Sequence, residues 1–323
     1  MEIQRTEALC SPPSRNFQEA LNYEALIYAS GKGEATIEPL FDKIGRCLDL
    51  SVPLPSHPHT YADAIGVPPS ILLEGYYHAH ARFQRLSTAD VVIKRGDSLF
   101  PQAAAVVAHA PRFLYVRGDL SLLSRRMVCV VGTRNPSDEG KQFAREATLA
   151  LGAAGLVVLS GLALGIDGVA HLTALAQGLP TVAVIGTSLI ESYPPEHVSL
   201  QSRICAEGLV VSRFSPVAKT QKWFFLLRNQ LMSSLSIASV LVEDRDGGGA
   251  VKQAQYALEQ QRTVLLFKHT LENRSILWPR KLAADPLTVV VGKPADIPKL
   301  LRMHPQPPKP KTAKEDKNQL SLF

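Results

Sequence analysis

The sequence is poor in cysteine and has no closely spaced cysteine pair. Its four cysteines, Cys10, Cys47, Cys129 and Cys205, lie far apart in the 323 residues and form no CxxC motif. Three of them stand in apolar surroundings, which favours buried free thiols in a reducing compartment over disulfides or a zinc site. We therefore expect no disulfide framework and no metal bound by cysteine.

Long apolar segments are missing too. The N-terminal MEIQRTEALCSPPS lacks the apolar core of a signal peptide, and no run approaches the roughly 20 apolar residues of a membrane-spanning helix. We therefore expect a cytoplasmic protein with no membrane partner.

Basic residues are in excess, since 35 Lys and Arg against 29 Asp and Glu give a net charge of +6. This balance weakly favours a polyanionic partner such as nucleic acid, the alternative being an ordinary solvated surface.

Residues 1–90 predict a small helical domain, because apolar residues recur at helical spacing from residue 15 onward. The segment ADAIGVPPSILLEG resembles a helix-turn-helix with Gly66 at its turn, although a helical bundle without that role is the stronger interpretation. Four histidines stand in one HPH and one HAH sequence, a spacing that does not converge ligands on a metal. They are His57, His59, His78 and His80.

From residue 127 the pattern changes to alternating strands and helices. The short β-branched runs MVCVV, LVVLS, TVAVI, LVVS, SVLVE and TVLLF are separated by helical segments of about a dozen residues. Strands that are apolar throughout are buried on both faces, which predicts a doubly wound, mostly parallel α/β sheet within residues 91–292. The composition then turns to proline and lysine, which predicts a flexible linker at 293–318 and a disordered C-terminal tail.

Ligands of an open parallel sheet bind at the carboxyl ends of its strands, so the loops after the strands form the candidate site. These loops contribute the candidate residues Gly132, Thr133, Arg134, Gly161, Gly165, Gly247 and Gly248. Glycines that lead into a helix N-terminus, with an arginine beside them, predict an anion-binding edge. The spacing is not that of the dinucleotide motif GxGxxG.

Two segments allow two interpretations each. Asp167 and His171 lie four residues apart on one helix and could serve acid–base catalysis. With no nucleophile near them in sequence, the structural interpretation is stronger: Asp167 caps its helix and hydrogen-bonds His171. In KTQKWFFLLRNQ, Lys222 and Trp223 either contact the phosphates and bases of single-stranded nucleic acid, or Trp223 packs in the core.

Taken in order, GTR, SGLALGIDGVAH, VIGTSLIESYPPEH, FFLLRNQLMSSLS and LVEDRDGGGAVKQAQYALEQQRTVLLF closely resemble the DprA/Smf family of DNA-processing proteins. The resemblance implies a Rossmann-like domain that binds single-stranded DNA without sequence preference. It also implies a homodimer without cofactor or catalytic activity, which helps to load a RecA-type recombinase in transformation, recombination or repair. The DNA-binding residues expected from the loops and the resemblance are Gly132, Thr133, Arg134, Gly161, Gly165, Asp167, Lys222, Trp223, Arg228, Asn229, Gly247 and Gly248.

The chain departs from the family pattern at several of these motifs. Gln230 stands where the RNR motif ends in arginine, and Arg213 replaces a carboxylate after the fourth strand. Gly247–Gly249 replaces an SGS turn, and Lys268-His269 replaces a PG pair. These changes predict a divergent member of the family.

The last five residues, Gln319, Leu320, Ser321, Leu322 and Phe323, form QLSLF. This segment resembles the pentapeptide by which bacterial replication and repair proteins dock on the β sliding clamp, the alternative being that it packs on its own body.

Two other functions stay open: a nucleotide-binding or nucleotide-hydrolysing enzyme that uses Asp167 and His171, and a clamp adaptor that does not bind DNA.

Overall fold

The computed structural model describes residues 14–304, and these divide into two compact units between Leu86 and Ser87. The boundary predicted after residue 90 falls inside the second unit instead, because Asp90 begins a strand. Its carboxylate binds the Arg117 guanidinium of the neighbouring strand, with 2.7 Å between Oδ2 and Nη2. The described residues contain no helix that is long and apolar enough to cross a membrane.

The described part of the first unit is a bundle of four α-helices. They are α1 (Arg15–Ser30), α2 (Glu34–Ile44), α3 (Pro58–Ile65) and α4 (Pro69–Phe83). The Ser14 hydroxyl caps the start of α1, and Gly31 ends it in the left-handed conformation. Gly66, at the predicted turn, ends α3 in the same way. α1 and α4 pack closely because Gly75 lacks a side chain: a Cβ there would lie 2.9 Å from the Cβ of Ala29.

The second unit is a nine-stranded sheet flanked by helices. Its strands are β1 (Asp90–Lys94), β2 (Phe113–Gly118), β3 (Met127–Val131), β4 (Val157–Ser160), β5 (Thr181–Ile185), β6 (Leu209–Ser212), β7 (Ala238–Leu241), β8 (Thr263–Phe267) and β9 (Thr288–Val291). Its helices are α5 (Gln102–Ala105), α6 (Asp138–Ala153), α7 (Ile166–Ala176), α8 (Val198–Glu207), α9 (Phe224–Leu235), α10 (Gly249–Glu259), α11 (Lys268–Glu272), α12 (Trp278–Ala283) and α13 (Ile297–Met303).

The strands lie in the order β1-β2-β6-β5-β4-β3-β7-β8-β9. The strands from β6 to β9 in this order are parallel, whereas β2 is antiparallel to both β1 and β6. The predicted fold class, a doubly wound and mostly parallel α/β sheet, is therefore confirmed. The sequence did not predict the two antiparallel strands at one edge, which precede the first run that it identified.

Side chains of the sheet alternate between two cores. Along β3, Cys129 and Val131 belong to the core that includes residues of α9 and α10. Val128 and Val130 belong to the core that includes residues of α6 and α7. Helices therefore cover both faces of the sheet, which is why its central strands are apolar throughout.

The chain reverses direction across the sheet beside β3. It proceeds outward from β3 through β4, β5 and β6, and then returns to the other side of β3 as β7. The helices that follow β3 and β7 lie on opposite faces, since α6 and α10 belong to different cores. Their connecting loops diverge and leave a crevice at the carboxyl ends of these two strands, which is where ligands of such folds bind.

The predicted linker begins too early. The sequence analysis started it at residue 293, but α13 packs on the second unit, with Ile297 fully buried and Leu301 nearly so. These two residues stand four apart and give the short helix one apolar side, a signal that the surrounding proline and lysine obscured. Residues 305–318 of the predicted linker, and the QLSLF segment at 319–323, lie outside the described residues.

The expectation of three buried thiols is wrong. Cys129 is buried inside the sheet, where burial raises the pKa of its thiol well above its ordinary value. Cys205 is half-buried on α8, and Cys47 is exposed just after α2. Apolar neighbours in sequence did not place Cys47 in a core, because Arg46 beside it is exposed as well and Leu48 is only partly buried. Cys10 lies outside the described residues.

Candidate nucleic-acid interface

A cavity of about 480 Å³ opens at the crevice between β3 and β7, and we call it the switch-point pocket. The loops after β3 and β7 bound it, together with parts of α7, α9 and α10. The predicted residues that line it are Gly132, Thr133, Arg134, Asp167, Arg228, Asn229 and Gly248. Gly161 and Gly165 line two neighbouring hollows, whereas Lys222, Trp223 and Gly247 line neither these hollows nor the pocket.

Two glycines allow the loops around the pocket to approach each other. Gly165 precedes α7 with a φ of +77°, and a Cβ there would lie 2.3 Å from the carbonyl oxygen of Thr133. A Cβ on Gly132 would lie 2.5 Å from a side-chain carbon of Ile166 and 2.9 Å from the carbonyl oxygen of Glu243. Both positions therefore need glycine for close packing of the loops after β3, β4 and β7.

Arg134 is an exposed cation where the pocket and the two hollows meet, and Arg245, also exposed, lines the pocket alone among the three. Arg134 lines the switch-point pocket and both neighbouring hollows. The second of these hollows, of about 580 Å³, also contains Lys141 and His197. A guanidinium in this position can contact phosphates of a strand that passes from one hollow to the next.

The first hollow is apolar and aromatic. Tyr193 is about half exposed, and its ring centroid lies 5.5 Å from that of Phe225 at an angle of 56°. Both rings line the hollow beside Arg134. A cation next to accessible ring faces is the combination that binds phosphate and base of a single strand.

Arg228, which the RNR motif singled out, is buried and held by backbone groups. It is 6% exposed, and its Nη1 donates hydrogen bonds to the carbonyl oxygens of Gly161 and Val184, at the ends of β4 and β5. Its Nε donates to Asn229 Oδ1 at 3.0 Å, and Asn229 Nδ2 donates to the Gly249 carbonyl at 3.2 Å. Arg228 and Asn229 thus connect α9 to the ends of β4 and β5 and to the start of α10, and these contacts hold the wall of the pocket in place.

Asp167 lies next to Arg228 but does not orient His171. Its Oδ2 accepts hydrogen bonds from the backbone N–H groups of Gly161 and Ala163, at 3.1 and 3.3 Å. Burial raises the pKa of Asp167, while the charge of Arg228 and these donors act in the opposite direction. His171 is fully buried and contacts the Thr181 hydroxyl at 2.8 Å instead. The predicted Asp–His hydrogen bond is therefore wrong, and so is the predicted cap, because Asp167 binds N–H groups of the loop before α7 and no side chain caps the start of that helix.

The glycine loop before α10 does not form an open phosphate cradle. Asp244 Oδ2 accepts hydrogen bonds from Ala250 N and Val251 N, the free donors of the first turn of α10, at 2.9 and 3.1 Å. A Cβ on Gly248 would lie 2.1 Å from this carboxylate. The glycine thus makes room for Asp244, and the protein's own carboxylate occupies the anion position that the sequence assigned to a ligand.

Lys222 and Trp223 are exposed at the start of α9. Trp223 is 55% exposed and rests edge-on against Phe224, with 4.6 Å between ring centroids. The sequence left open whether Trp223 packs in the core. In the structure Trp223 lies on the surface, and Phe224 is the core residue. Trp223 stands two residues before Phe225 of the aromatic hollow, so both belong to the same end of α9.

The sequence analysis missed several residues that line the pocket or the aromatic hollow beside it, among them four with polar side chains. Asn135 and Arg245 each lie four residues after the end of their strand, β3 and β7, and a wider search of the loops would have included them. Tyr193 comes from the loop after β5 and lines the aromatic hollow, and Gln253 comes from the second turn of α10 and lines the pocket, so only the folded chain brings them to this surface. Within residues 14–304, no three His, Cys, Asp or Glu side chains form a group that could hold a metal ion.

Comparison with known proteins identifies relatives of this unit. The family described as DNA recombination-mediator protein A matches residues 91–301. The DNA processing protein DprA of Bacillus subtilis is 37% identical over 155 residues, which are 48% of this chain and 52% of that protein. DprA of Streptococcus pneumoniae is 32% identical over 201 residues, 61% of this chain and 70% of that protein. The first match spans about half of the relative's length.

Two crystal structures are similar to the structure described above. The X-ray structure of DprA from Streptococcus pneumoniae superimposes with a TM-score of 0.66 and 25% identity, covering 88% of this chain and 94% of that one. A structure of DprA from Helicobacter pylori, described as showing a single-stranded DNA binding mode, gives a TM-score of 0.59 and 25% identity, covering 66% and 96%. Because the family model matches residues 91–301, which is more than half of the chain, the chain belongs to the DNA recombination-mediator protein A family.

Proposed function

We propose that this protein binds single-stranded DNA without strict sequence preference, through Arg134 and the surface that surrounds it. The observation that carries the proposal is the meeting of three hollows at one exposed arginine at the switch point of the sheet. Family membership, and the single-stranded DNA binding described for the Helicobacter pylori relative, support it. Arg134 and Lys141 provide charge for the phosphates, and Tyr193 and Phe225 provide ring faces for the bases.

We also propose that the protein acts by binding and not by catalysis. The enzyme alternative requires His171 to exchange protons with a substrate beside Asp167. His171 is fully buried, so it cannot contact a ligand. Burial also lowers its pKa to about 3, so the imidazole is neutral at physiological pH. The bound strand is then passed to a RecA-type recombinase in transformation, recombination or repair, with a homodimer as the active form, in keeping with the description of the family as recombination mediators.

The QLSLF segment supports a further partner, the β sliding clamp. Leu320, Leu322 and Phe323 are apolar residues at the end of a chain rich in proline and lysine. Burying three such side chains in an apolar cleft provides roughly 1.5–3 kcal/mol each before ordering costs. A cytoplasmic protein tethered in this way is concentrated at replicating DNA, where single strands are exposed.

The decisive measurement is the binding of a fluorescent single-stranded oligonucleotide at two salt concentrations, with duplex DNA of the same length as competitor. We expect salt-sensitive binding that the duplex displaces poorly. Arg134→Ala should weaken binding and reduce the dependence of log K on log salt, because one phosphate contact is lost. Arg203→Ala is the matched control, since Arg203 is an exposed arginine of α8 outside the three hollows, paired with Glu207.

If Arg134→Ala binds like the unmodified protein with an unchanged salt dependence, the proposed surface is in the wrong place. If no oligonucleotide binds at low salt, the protein is a clamp adaptor or a nucleotide-binding protein instead. Calorimetric titration with mononucleotides separates these two, because an adaptor produces no heat with them.

A further inference from the structure

Two exposed tyrosines lie on the helical unit, away from the sheet. Among residues 14–304, the exposed aromatic side chains are Tyr28, Tyr77, Tyr193 and Trp223. Tyr193 and Trp223 belong to the second unit and were described above. Tyr28 on α1 and Tyr77 on α4 are 45% and 61% exposed. Single exposed aromatic residues are ordinary, but a group of them marks an interaction surface.

The two tyrosines belong to one arrangement of rings, which we call the aromatic face and define as Tyr28, Tyr77 and His78. The rings of Tyr28 and His78 are stacked, with 4.0 Å between centroids and 15° between planes, and His78 is exposed as well. Tyr77 packs edge-on against the largely buried Tyr76, with 5.6 Å between centroids. These contacts restrict the rings, so a planar ligand can stack on them with little loss of side-chain freedom.

The sequence around the aromatic face is basic. Residues 75–89 contain two arginines, Arg82 and Arg85, and two histidines, but no Asp or Glu. Arg85 is exposed, two residues after the end of α4. The one acidic residue of α4, Glu74, lies a helical turn before His78. Ring faces next to cations are the combination that binds bases and phosphates of a single strand, so charge and shape favour nucleic acid as the ligand.

We propose that the aromatic face is a second contact surface for single-stranded DNA, on which bases stack while Arg85 contacts phosphate. This inference rests on the proposed binding of single-stranded DNA and adds to it a surface on the helical unit. Stacking does not depend on the identity of the base, so the surface holds strands of any sequence. A strand that contacts both units is held at two places and dissociates more slowly.

The test removes one ring from the full chain and the bases from the ligand. The first ligand is an oligo-dT of about 60 nucleotides, several times the 4–16 nucleotides that one binding module covers. The second is a strand of the same length in which abasic sites replace every base. Tyr77→Ala should bind oligo-dT about fivefold more weakly than the unmodified protein, since one stacking contact is lost. It should bind the abasic strand with unchanged affinity at low salt, because the phosphate contacts remain.

Tyr77→Phe is the matched control, because it keeps the ring and should bind oligo-dT like the unmodified protein. Both variants should unfold at the temperature of the unmodified protein, since the side chain is exposed. The salt dependence should not change in Tyr77→Ala, whereas it should fall in Arg134→Ala, because stacking releases no counterions.

Two results would overturn the inference while leaving the proposed function in place, provided that Arg134→Ala still weakens binding. One is unchanged affinity of Tyr77→Ala for oligo-dT, which would assign the aromatic face to a protein partner or to no ligand. The other is an equal loss of affinity for oligo-dT and the abasic strand, which would exclude stacking. Absence of binding to oligo-dT by the unmodified protein would overturn the proposed function and this inference together.

Discussion

The hydrogen-bond pattern of His171 fixes its protonation. The Thr181 hydroxyl donates to the Val158 carbonyl at 3.0 Å, so it must accept from His171 Nδ1–H at 2.8 Å. Nε2 is then the unprotonated nitrogen, and it is buried without a partner among the described residues. Protonation would place an unpaired N–H and a charge in the core, which is why burial lowers the pKa of His171 to about 3 from an ordinary value of 6.5.

We expect this histidine to destabilise the protein in acid. Between pH 6.5 and about 3 the unfolded chain binds a proton at His171 that the native state does not bind, so the free energy of unfolding falls as the pH falls through this window. His171→Asn should make that decline less steep, as measured by urea unfolding at several pH values. His109→Asn, at an exposed position, should keep the slope of the unmodified protein. Equal slopes for both variants would mean that His171 is protonated in the native state.

Gly161 is where Arg228 and Asp167 meet. A Cβ at this position would lie 2.0 Å from Arg228 Nη1 and 2.9 Å from Asp167 Oδ2. Gly161→Ala should therefore displace the guanidinium, cost about 1–3 kcal/mol of stability and weaken DNA binding at the adjoining pocket. Thermal unfolding and oligonucleotide binding measure the two effects. Gly292→Ala is the control, since nothing lies within 4 Å of the Cβ that it adds, and a Gly161→Ala protein as stable as this control would contradict the packing argument.

At the scale of elements, one acidic loop after β7 holds the starts of three helices. Glu243 Oε2 accepts from Ser137 N and its hydroxyl at the start of α6, at 3.0 and 3.1 Å. Asp244 caps α10, as described above. Asp246 Oδ1 accepts from Leu277 N and Trp278 N at the start of α12, at 3.0 and 2.8 Å. The position of the pocket walls thus depends on three carboxylates, Glu243, Asp244 and Asp246, within one short loop.

Asp246→Ala should release the start of α12 and lower the free energy of unfolding by about 1 kcal/mol, as loss of an N-terminal cap does. Asp246→Asn keeps a side-chain oxygen that can accept the same hydrogen bonds, so it should retain most of that stability. Denaturant unfolding of the two variants provides the measurement. If this cap contributes nothing to the free energy of unfolding, the alanine and asparagine proteins will be equally stable.

The same loop shows how far sequence reasoning reaches. The apolar runs predicted the parallel sheet, and the rule that ligands bind at strand ends predicted the position of the pocket, because both depend on local pattern. The DRDGGG segment predicted a phosphate cradle, since glycines before a helix are compatible with one. Whether a ligand or a neighbouring carboxylate fills the helix N-terminus depends on the loop conformation, which residue types alone do not determine. Gln253 and Tyr193 were missed for the same reason.

At the scale of the whole molecule, the proposed DNA and clamp contacts belong to separate segments and should be separable. Replacing Leu322 and Phe323 with alanine in the full chain should abolish capture by immobilised β sliding clamp, because the apolar side chains that fill the cleft are lost. The same protein should bind single-stranded DNA normally. Lys314→Ala, a control in the predicted linker, should retain both activities.

The reverse variant completes the comparison. Arg134→Ala should bind the clamp normally while it loses affinity for DNA. Clamp capture that survives the loss of Leu322 and Phe323 would assign the contact to another part of the chain and contradict the tether.

If related sequences keep Arg228 and Arg134, they keep the two arginines for different reasons. Arg228 is nearly inaccessible and joins the ends of β4 and β5 to α9, so a lineage that stopped handling DNA would still need it in order to fold. Arg134 is exposed, and no described residue accepts a hydrogen bond from its guanidinium, so selection for stability alone leaves it free to vary. In an alignment of divergent relatives, the arginine at position 134 would therefore report on inherited DNA binding, and the arginine at position 228 would report only on the inherited fold.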